Sequence, residues 1–521
     1  MAEVKKERLT SQVIKGSFWN IFYSIIQRAG GIVFTILLAR LLLPEKFGIY
    51  NLAISISFIF LALSYGGIDE VVIRYVSAAI LKNKKKGAAY FQYVLKLKVI
   101  IFIISFVLLL AISYPLSFYI FNKPLIFVPL LLSAFYILLL SFESLFASLF
   151  FAMKSIKYVA LKESIYQISR IVIVILISLF AKDVKVGYAM TGLFIASLIT
   201  FSFDFYMIRK KAKYFIRRVI SISEEEKSRI RKFMFYLVMG SLSFTFFGYI
   251  DTIMIGLLIK DASYIGFYRA AFILVSSIGG FLTLSYVLLP ILTQVEKQSL
   301  ERVFNKVIKY SMIISIPAGF GIAILGKYFL IFIYGREYLS ATLPLVYLAA
   351  IIPLGVFVSL FLSIFSAKEK PKEYLPLLIF IILLNIVLNY ILINYFSRYS
   401  TTLAISGAAM ATVFCWIVYS VGLYILAKRK LNIKVDLKLI IKPILSSIIM
   451  VLALLLIKSR VTDINLFNGV ALVVFGVAIY TASILLMKAI DKKDLSILIE
   501  ISNKKLISLG LFKKPFYSNN D

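Results

Sequence analysis

The chain has 521 residues, 61% of them hydrophobic, and a mean hydropathy of +0.95. A water-soluble protein of this size needs far more polar surface, so composition excludes a large soluble enzyme. The net charge of +33 would suit nucleic acid if the cations were clustered, but they alternate from loop to loop, which excludes that partner.

A spanning helix needs roughly 20 apolar residues. About fourteen such segments follow one another: 17–40, 47–65, 93–115, 124–152, 159–181, 186–208, 233–259, 264–292, 307–333, 341–366, 373–396, 402–427, 439–458 and 466–487. The first is too long for a signal peptide and no small-residue cleavage site follows, so it reads as a retained anchor. Along it Asn20, Ser24, Gln27/Arg28, Gly31 and Thr35 form a polar stripe whose spacing puts them on one face. Arg28 sits mid-segment. An intramembrane cation is costly and usually functional, so Arg28 is the leading candidate to bind an anionic group, with a structural ion pair to Asp251 as the competing reading.

Pro44 with Glu45 and Lys46 ends the first segment at the outer interface. Further on, Glu143 in the fourth segment has no sequence-near partner. Arg170 in the fifth has Glu163 seven residues earlier on the same face, so local pairing competes with a cavity role. The linker 209–232 opens with the basic run 209–218, which suits topology and lipid headgroups, or recruitment of a glycosyltransferase. The seventh segment repeats a polar stripe, with Ser241, Thr245, Gly248, Asp251/Thr252 and Gly256. Asp251 reads as a counter-ion to Arg28, as a site for a coupling cation or proton, or as a packing residue. Arg269, near the outer end of the eighth segment, could bind substrate or snorkel to the interface. The single cysteine, Cys415, lies in an apolar segment and forms no intrachain disulfide. The tail 488–521 reads as a surface-lying amphipathic stretch.

Of the 58 Lys and Arg residues, 44 lie at the N-terminus, around the loops after even-numbered segments and in the tail. Eleven lie around the other loops, and three (Arg28, Arg170 and Arg269) lie within segments. This bias places both termini in the cytoplasm and makes the segment number even.

The phrase around Gly48 returns in the second half of the chain. Gly48, Tyr50 and Ala53 align with Gly266, Tyr268 and Ala271 at one constant offset. A second pair aligns Gly187, Ala189 and Met190 with Gly407, Ala409 and Met410 at nearly the same offset. Six segments separate the copies, so both enter the bilayer in the same sense, as parallel repeats do. The expected architecture is an all-α polytopic membrane protein. It has an N-lobe (1–208), the linker, a C-lobe (233–427), two further helices (428–487) and a cytoplasmic tail. Gly48, Tyr50, Gly266 and Tyr268 are then packing or hinge positions at matched places in the two lobes.

Histidine is absent, which removes His-based zinc sites, catalytic triads and His proton relays. No G-x-x-x-x-G-K-[ST] loop and no D-x-D cluster occur. The outward loops are short, which argues against a membrane glycosyltransferase or polymerase. A chain almost wholly in the bilayer without a reactive group is expected to move something.

Residues 66–87 lack the basic loop motif of major facilitators. Arg74 and Tyr75 there, with "ARLLLPEKFGIYNLA" (39–53), "YIDTIMIG" (249–256) and "IYGREY" (333–338), resemble the polysaccharide-flippase branch of the MOP superfamily. The resemblance runs over the first twelve segments, and fourteen-helix members exist. It implies a transporter, not an enzyme, in the cytoplasmic membrane. Such proteins flip polyprenyl-(di)phosphate-linked oligosaccharide for surface polysaccharide or glycoconjugate synthesis. No cofactor is implied, and a monomer is expected. Substrate contacts would come from Arg28, Gln27, Asn20, Ser24, Asp251, Thr252, Arg170, Arg269 and Glu143. The rival on the same fold is a MATE-like, cation-coupled drug exporter, which would favour acidic cavity residues.

Overall fold

Inside a bilayer each backbone amide and carbonyl must be satisfied within its own segment, so long apolar runs become helices. The computed structural model describes residues 2–181, 185–216, 222–283, 297–368, 370–436, 438–458 and 466–489. Every regular element among them is helical. The tail from 490 onward and the end of the eighth segment lie outside the described residues.

Helix α1 (Ala2–Ala62) carries the first two expected segments and breaks at Leu43, whose φ of 59° and ψ of 170° are not helical. Pro44 supplies the cause, because it lacks an amide donor and pushes the preceding residue out of the α region. The chain continues through α2 (Gly67–Val71), a π-helical turn at Val72–Val76 and α3 (Ser77–Lys82). Then come α4 (Lys84–Pro115), α5 (Phe127–Ala152), α6 (Ile156–Phe180), α7 (Val186–Lys211) and the short α8 (Lys213–Ile216).

Helix α9 (Glu224–Leu258) starts at a capping box in which Ser223 and Glu226 satisfy each other's backbone amides. Next follow α10 (Ser263–Leu282), α11 (Lys297–Ile333), α12 (Thr342–Leu348) and α13 (Ile351–Ala367). The last four are α14 (Leu375–Ser397), α15 (Thr401–Leu431), α16 (Lys438–Lys458) and α17 (Leu466–Leu486).

Twelve of these stretches are long and apolar enough to cross a membrane, and the bent pair Arg336–Leu348 and Ile351–Ala367 makes a thirteenth. The first, Phe18–Lys82, holds both arms of α1, so each of the fourteen expected segments has a helical counterpart. The tenth was expected unbroken over 341–366. It bends by 47° instead, next to Pro353 in the first turn of α13, a usual cause of a sharp kink.

The apolar side chains pack into one shared core and several separate ones. The shared core draws on both arms of α1, on α5 and α7, and equally on α9, α10 and α15. It occupies the end of the bundle where α1 breaks and α9 meets α10. Toward the opposite end the chain halves keep separate cores. One runs from Ile68 to Met234 and the other from Phe247 to Val435. Ile230 and Met234 of α9 belong to the first of these, so α9 starts in the core of the N-terminal half and finishes among the later helices. Helices α16 and α17 pack together on α11.

Candidate functional site

The joined end is built from the repeated phrase. A Cβ on Gly48 would lie 2.9 Å from the backbone nitrogen of Gly266 and closer still to the Ala262 carbonyl oxygen. A Cβ on Gly266 would lie 2.9 Å from the Pro44 carbonyl carbon and closer still to its oxygen. Three polar side chains add to this seal. Lys123 Nζ donates to the carbonyls of Gly256 at 2.7 Å and Ile259 at 2.8 Å, closing the C-terminal end of α9. Burial pushes the Lys123 ammonium below its ordinary range, partly offset by Asp261. Arg40 donates to the Ile333 carbonyl at 2.8 Å and also to that of Phe332. Tyr338 donates to the Ala39 carbonyl at 2.8 Å.

Below the seal, Arg28 projects from the first arm of α1 toward α10. Its guanidinium lies 5.9 Å from the Phe281 ring centroid and beside Gly280. Among the described residues it has no acidic partner, so the expected alternative of a pair with Asp251 is not present. Asn20 and Ser24 are joined by a hydrogen bond from the Ser24 hydroxyl to the Asn20 carbonyl at 2.9 Å. Gln27 donates to the Tyr23 hydroxyl at 3.0 Å.

Asp251 is not a wall of the space in front of Arg28. It is 3% exposed and accepts from Tyr268 at 2.6 Å, Thr412 at 2.6 Å and Asn389 at 2.8 Å. All three donors are neutral, and Asn385 stands behind Asn389. The Asn385 amide nitrogen and the Asn389 amide oxygen have no hydrogen-bond partner. Tyr268, expected as a packing residue, is therefore also a carboxylate ligand. Thr252 is fully buried beside it, with an unpartnered hydroxyl. The two polar stripes thus do not simply face each other, because the deepest polar pair of α9 turns into its own half. The Gly240 and Gly248 positions of α9 do have open space before them.

Three other expectations change. Glu143, expected to be unpaired, forms an ion pair with Lys162 at 2.7 Å and accepts from Thr200 at 2.9 Å. Lys162 comes from the first turns of α6, near the start of the fifth expected segment. Glu163 and Arg170 do not pair directly. Gln167 stands between them, donating to Glu163 at 2.6 Å and accepting from Arg170, while the Arg170 guanidinium covers Phe34 at 4.4 Å and Tyr166 at 5.0 Å. Arg269 does not snorkel. It is 7% exposed, lies over Tyr249 and Phe272 at 5.1 and 5.2 Å, and its Nε has no hydrogen-bond partner. Tyr50 is stacked on Phe47.

Sequence reasoning missed the buried pair Lys98–Asp69 at 2.6 Å and the buried Asp204. It also missed the Asn385–Asn389–Thr412 set. Asn385 and Asn389, four apart in an otherwise apolar helix, were the available signal. An apolar groove of about 390 Å³ runs along α11, α16 and α17, with Ile278 of α10 at its edge.

A two-part helical bundle sealed at one end, with Arg28 reaching from one part to the other, has the fold of MOP transporters. The fold matches the lipid II flippase MurJ in an inward closed conformation, with a TM-score of 0.71 at 18% identity over 90% of this chain and 98% of that one. It also matches an inward-facing multidrug resistance MATE family transporter, with a TM-score of 0.63 at 14% identity over 78% of this chain and 94% of that one. The chain belongs to the polysaccharide biosynthesis protein family, whose model matches residues 13–296, more than half of its length. It is 28% identical over 275 residues to the probable low-salt glycan biosynthesis flippase Agl15 of Haloferax volcanii. That match covers 51% of this chain and 56% of the relative, so it spans about half the length of each.

Proposed function

We propose that the protein flips a polyprenyl-(di)phosphate-linked oligosaccharide across the cytoplasmic membrane by alternating access, supplying surface polysaccharide or glycoconjugate synthesis. The observation that carries this reading is Arg28: a membrane-embedded guanidinium that crosses to the other half at Phe281 and faces no carboxylate among the described residues. Such a cation is costly unless an anion joins it, and a phosphate matches its planar donors. The groove beside Ile278 suits a polyprenyl tail, since Ile278 lies two residues from Gly280.

The drug-exporter alternative needs carboxylates free to meet a cation. Glu143 is taken by Lys162, and Asp251 is enclosed by neutral donors. Asp251 fits the coupling role better. Its oxygen-rich, fully buried surroundings suit a proton or a monovalent hard cation. The family match and the flippase relative support the cargo class, and the loop charge bias supports cytoplasmic termini. The basic run from 209 onward is a surface for anionic lipid or a glycosyltransferase.

The test is a liposome assay with a fluorescent, diphosphate-linked short oligosaccharide lipid, following its accessibility to an impermeant quencher. Movement by the wild type that collapses in Arg28→Ala supports the reading. No movement of any lipid-linked sugar together with efflux of a cationic dye overturns it in favour of the exporter.

A further inference from the structure

A second cavity, of about 230 Å³, lies inside the N-terminal half, lined mainly by polar groups of α1, α5 and α6 and by Tyr65. It falls below the roughly 300–1,000 Å³ of drug-sized sites, so it has room for one ring and not for a chain. We propose that this pocket is a subsite for a single neutral pyranose of the cargo's head group, with Tyr65, Tyr136, Tyr166, Glu163, Gln167 and Gln27 as its wall. The proposal rests on the flippase reading and names what the head group must contain.

Three features point to a neutral sugar. First, each cation already has an acidic partner before any ligand arrives. Lys162 is held by Glu143 at 2.7 Å. Arg170 reaches Glu163 through Gln167, and the buried Asp204 interacts electrostatically with Lys162 from behind. An anionic ring would meet no net positive charge.

Second, hydrogen-bonding capacity is left over on both sides. The Tyr136 and Tyr166 hydroxyls share one bond of 2.6 Å, which leaves one O–H to donate elsewhere. Arg170 Nε is buried without an acceptor, and a carboxylate such as Glu163 has lone pairs beyond the one Gln167 uses. A ligand that both donates and accepts from neighbouring atoms completes this set, and a vicinal diol does so.

Third, the wall is two-natured. Leu140, Val159 and Ala147 are apolar, and Tyr65 is 42% exposed. A pyranose has a C–H face and a hydroxyl rim of that kind, and aromatic rings are good platforms for such a face. The position also fits. Gln27 lines the pocket, while Arg28, the next residue, points to α10, so a sugar joined to a phosphate at Arg28 has this pocket as its neighbour.

The experiment compares two fluorescent probes in liposomes: a short polyprenyl diphosphate carrying one N-acetylglucosamine, and the same diphosphate without sugar. Leu140→Trp fills the pocket and Tyr65→Leu removes the platform. Tyr65→Phe keeps it and serves as the folding control. A loss of tenfold or more for the sugar lipid, with the bare lipid within twofold of wild type, is expected for the first two variants. An equal loss for both lipids, or no loss, overturns the subsite.

If the wild type moves neither lipid, the flippase reading fails and the pocket is judged separately. Saturation-transfer NMR of the detergent-solubilised protein is then run with methyl glycosides of glucose, galactose, mannose and glucuronic acid. Transfer to a neutral glycoside that disappears in Tyr65→Leu but survives in Tyr65→Phe supports the subsite. Absence of transfer to any, or preference for the glucuronide, overturns it.

Discussion

Gly48 and Gly266 occupy each other's space. Each stands where the other's half offers a backbone carbonyl, Ala262 for Gly48 and Pro44 for Gly266. Pro44 and Ala262 are themselves repeat mates, because they precede Gly48 and Gly266 by the same interval. The repeated phrase thus meets its own copy reciprocally, as the two sides of a two-fold interface do. Small residues allow helices this close in a bilayer, where packing and not solvent drives association.

Enlarging either glycine therefore opposes the sealed state directly. Gly48→Val is expected to cost about 1–3 kcal/mol of that state through overpacking, or about 5- to 150-fold in its population. The readout is a cysteine placed at position 248 in a Cys415→Ser background, probed from the outer side with an impermeant maleimide. Reactivity should rise about tenfold on adding Gly48→Val. Because both glycines serve one contact, Gly48→Ala and Gly266→Ala together should cost less than the sum of the two. Unchanged reactivity would mean that the seal does not depend on this approach.

Arg28 supplies the second prediction. If its guanidinium meets a phosphate, truncation removes a charge-assisted contact worth about 2–5 kcal/mol. Arg28→Ala should then slow movement of a diphosphate-linked sugar lipid by about a hundredfold. Arg28→Lys keeps the charge but loses the planar fork and should fall between. Neither change should shift the thermal midpoint strongly, since Arg28 is only half-buried and unpaired among the described residues. A large fall in midpoint with normal movement in the folded fraction would make the residue structural.

Much of this was legible in the chain. Pro44 marks the break in α1, whereas the bend before α13 at Pro353 was not anticipated. The constant offset between the phrase at Gly48 and its copy at Gly266 marked both glycines as matched packing positions, but not that they would pack on each other. What could not be read is partnership. Glu143 looked unpaired because its lysine, Lys162, belongs to the next helix and not to its own. Asp251 looked like a counter-ion because its ligands, Tyr268, Asn389 and Thr412, are neutral, and two of them come from the distant helices α14 and α15. Periodicity says which face a side chain is on. It does not say which neighbour that face will meet.

The Asp251 cluster gives the third prediction. A carboxylate held by three neutral donors and no cation is suited to exchange a proton or a monovalent ion. In Asp251→Asn the Tyr268 and Thr412 hydroxyls keep an acceptor, while the charge that attracts a cation is gone. Folding should survive, and any dependence of transport on sodium or on a pH gradient should vanish. Transport that stays equally ion-dependent in Asp251→Asn would remove coupling from this residue and leave membrane potential as the driver, worth about 2.3 kcal/mol per charge at 100 mV.

The last prediction concerns Glu143 and Lys162. Both are almost fully buried, at 0% and 9% exposure, and their ion pair of 2.7 Å is supported by Thr200. Removing one partner strands the other in a low-dielectric interior, at about 3–5 kcal/mol. Replacing both with apolar residues of similar volume strands neither. Lys162→Met and Glu143→Leu should each lower the thermal midpoint strongly, and the double variant should recover much of the loss. If the pair only holds α5 to α6, the double variant transports almost normally. If Lys162 also sets the charge balance of the neighbouring pocket, the double variant is stable yet moves the sugar-bearing lipid less well than the bare one. Measuring melting and transport on the same three variants separates these outcomes. Additive losses in the double variant would show that the two side chains are not coupled at all.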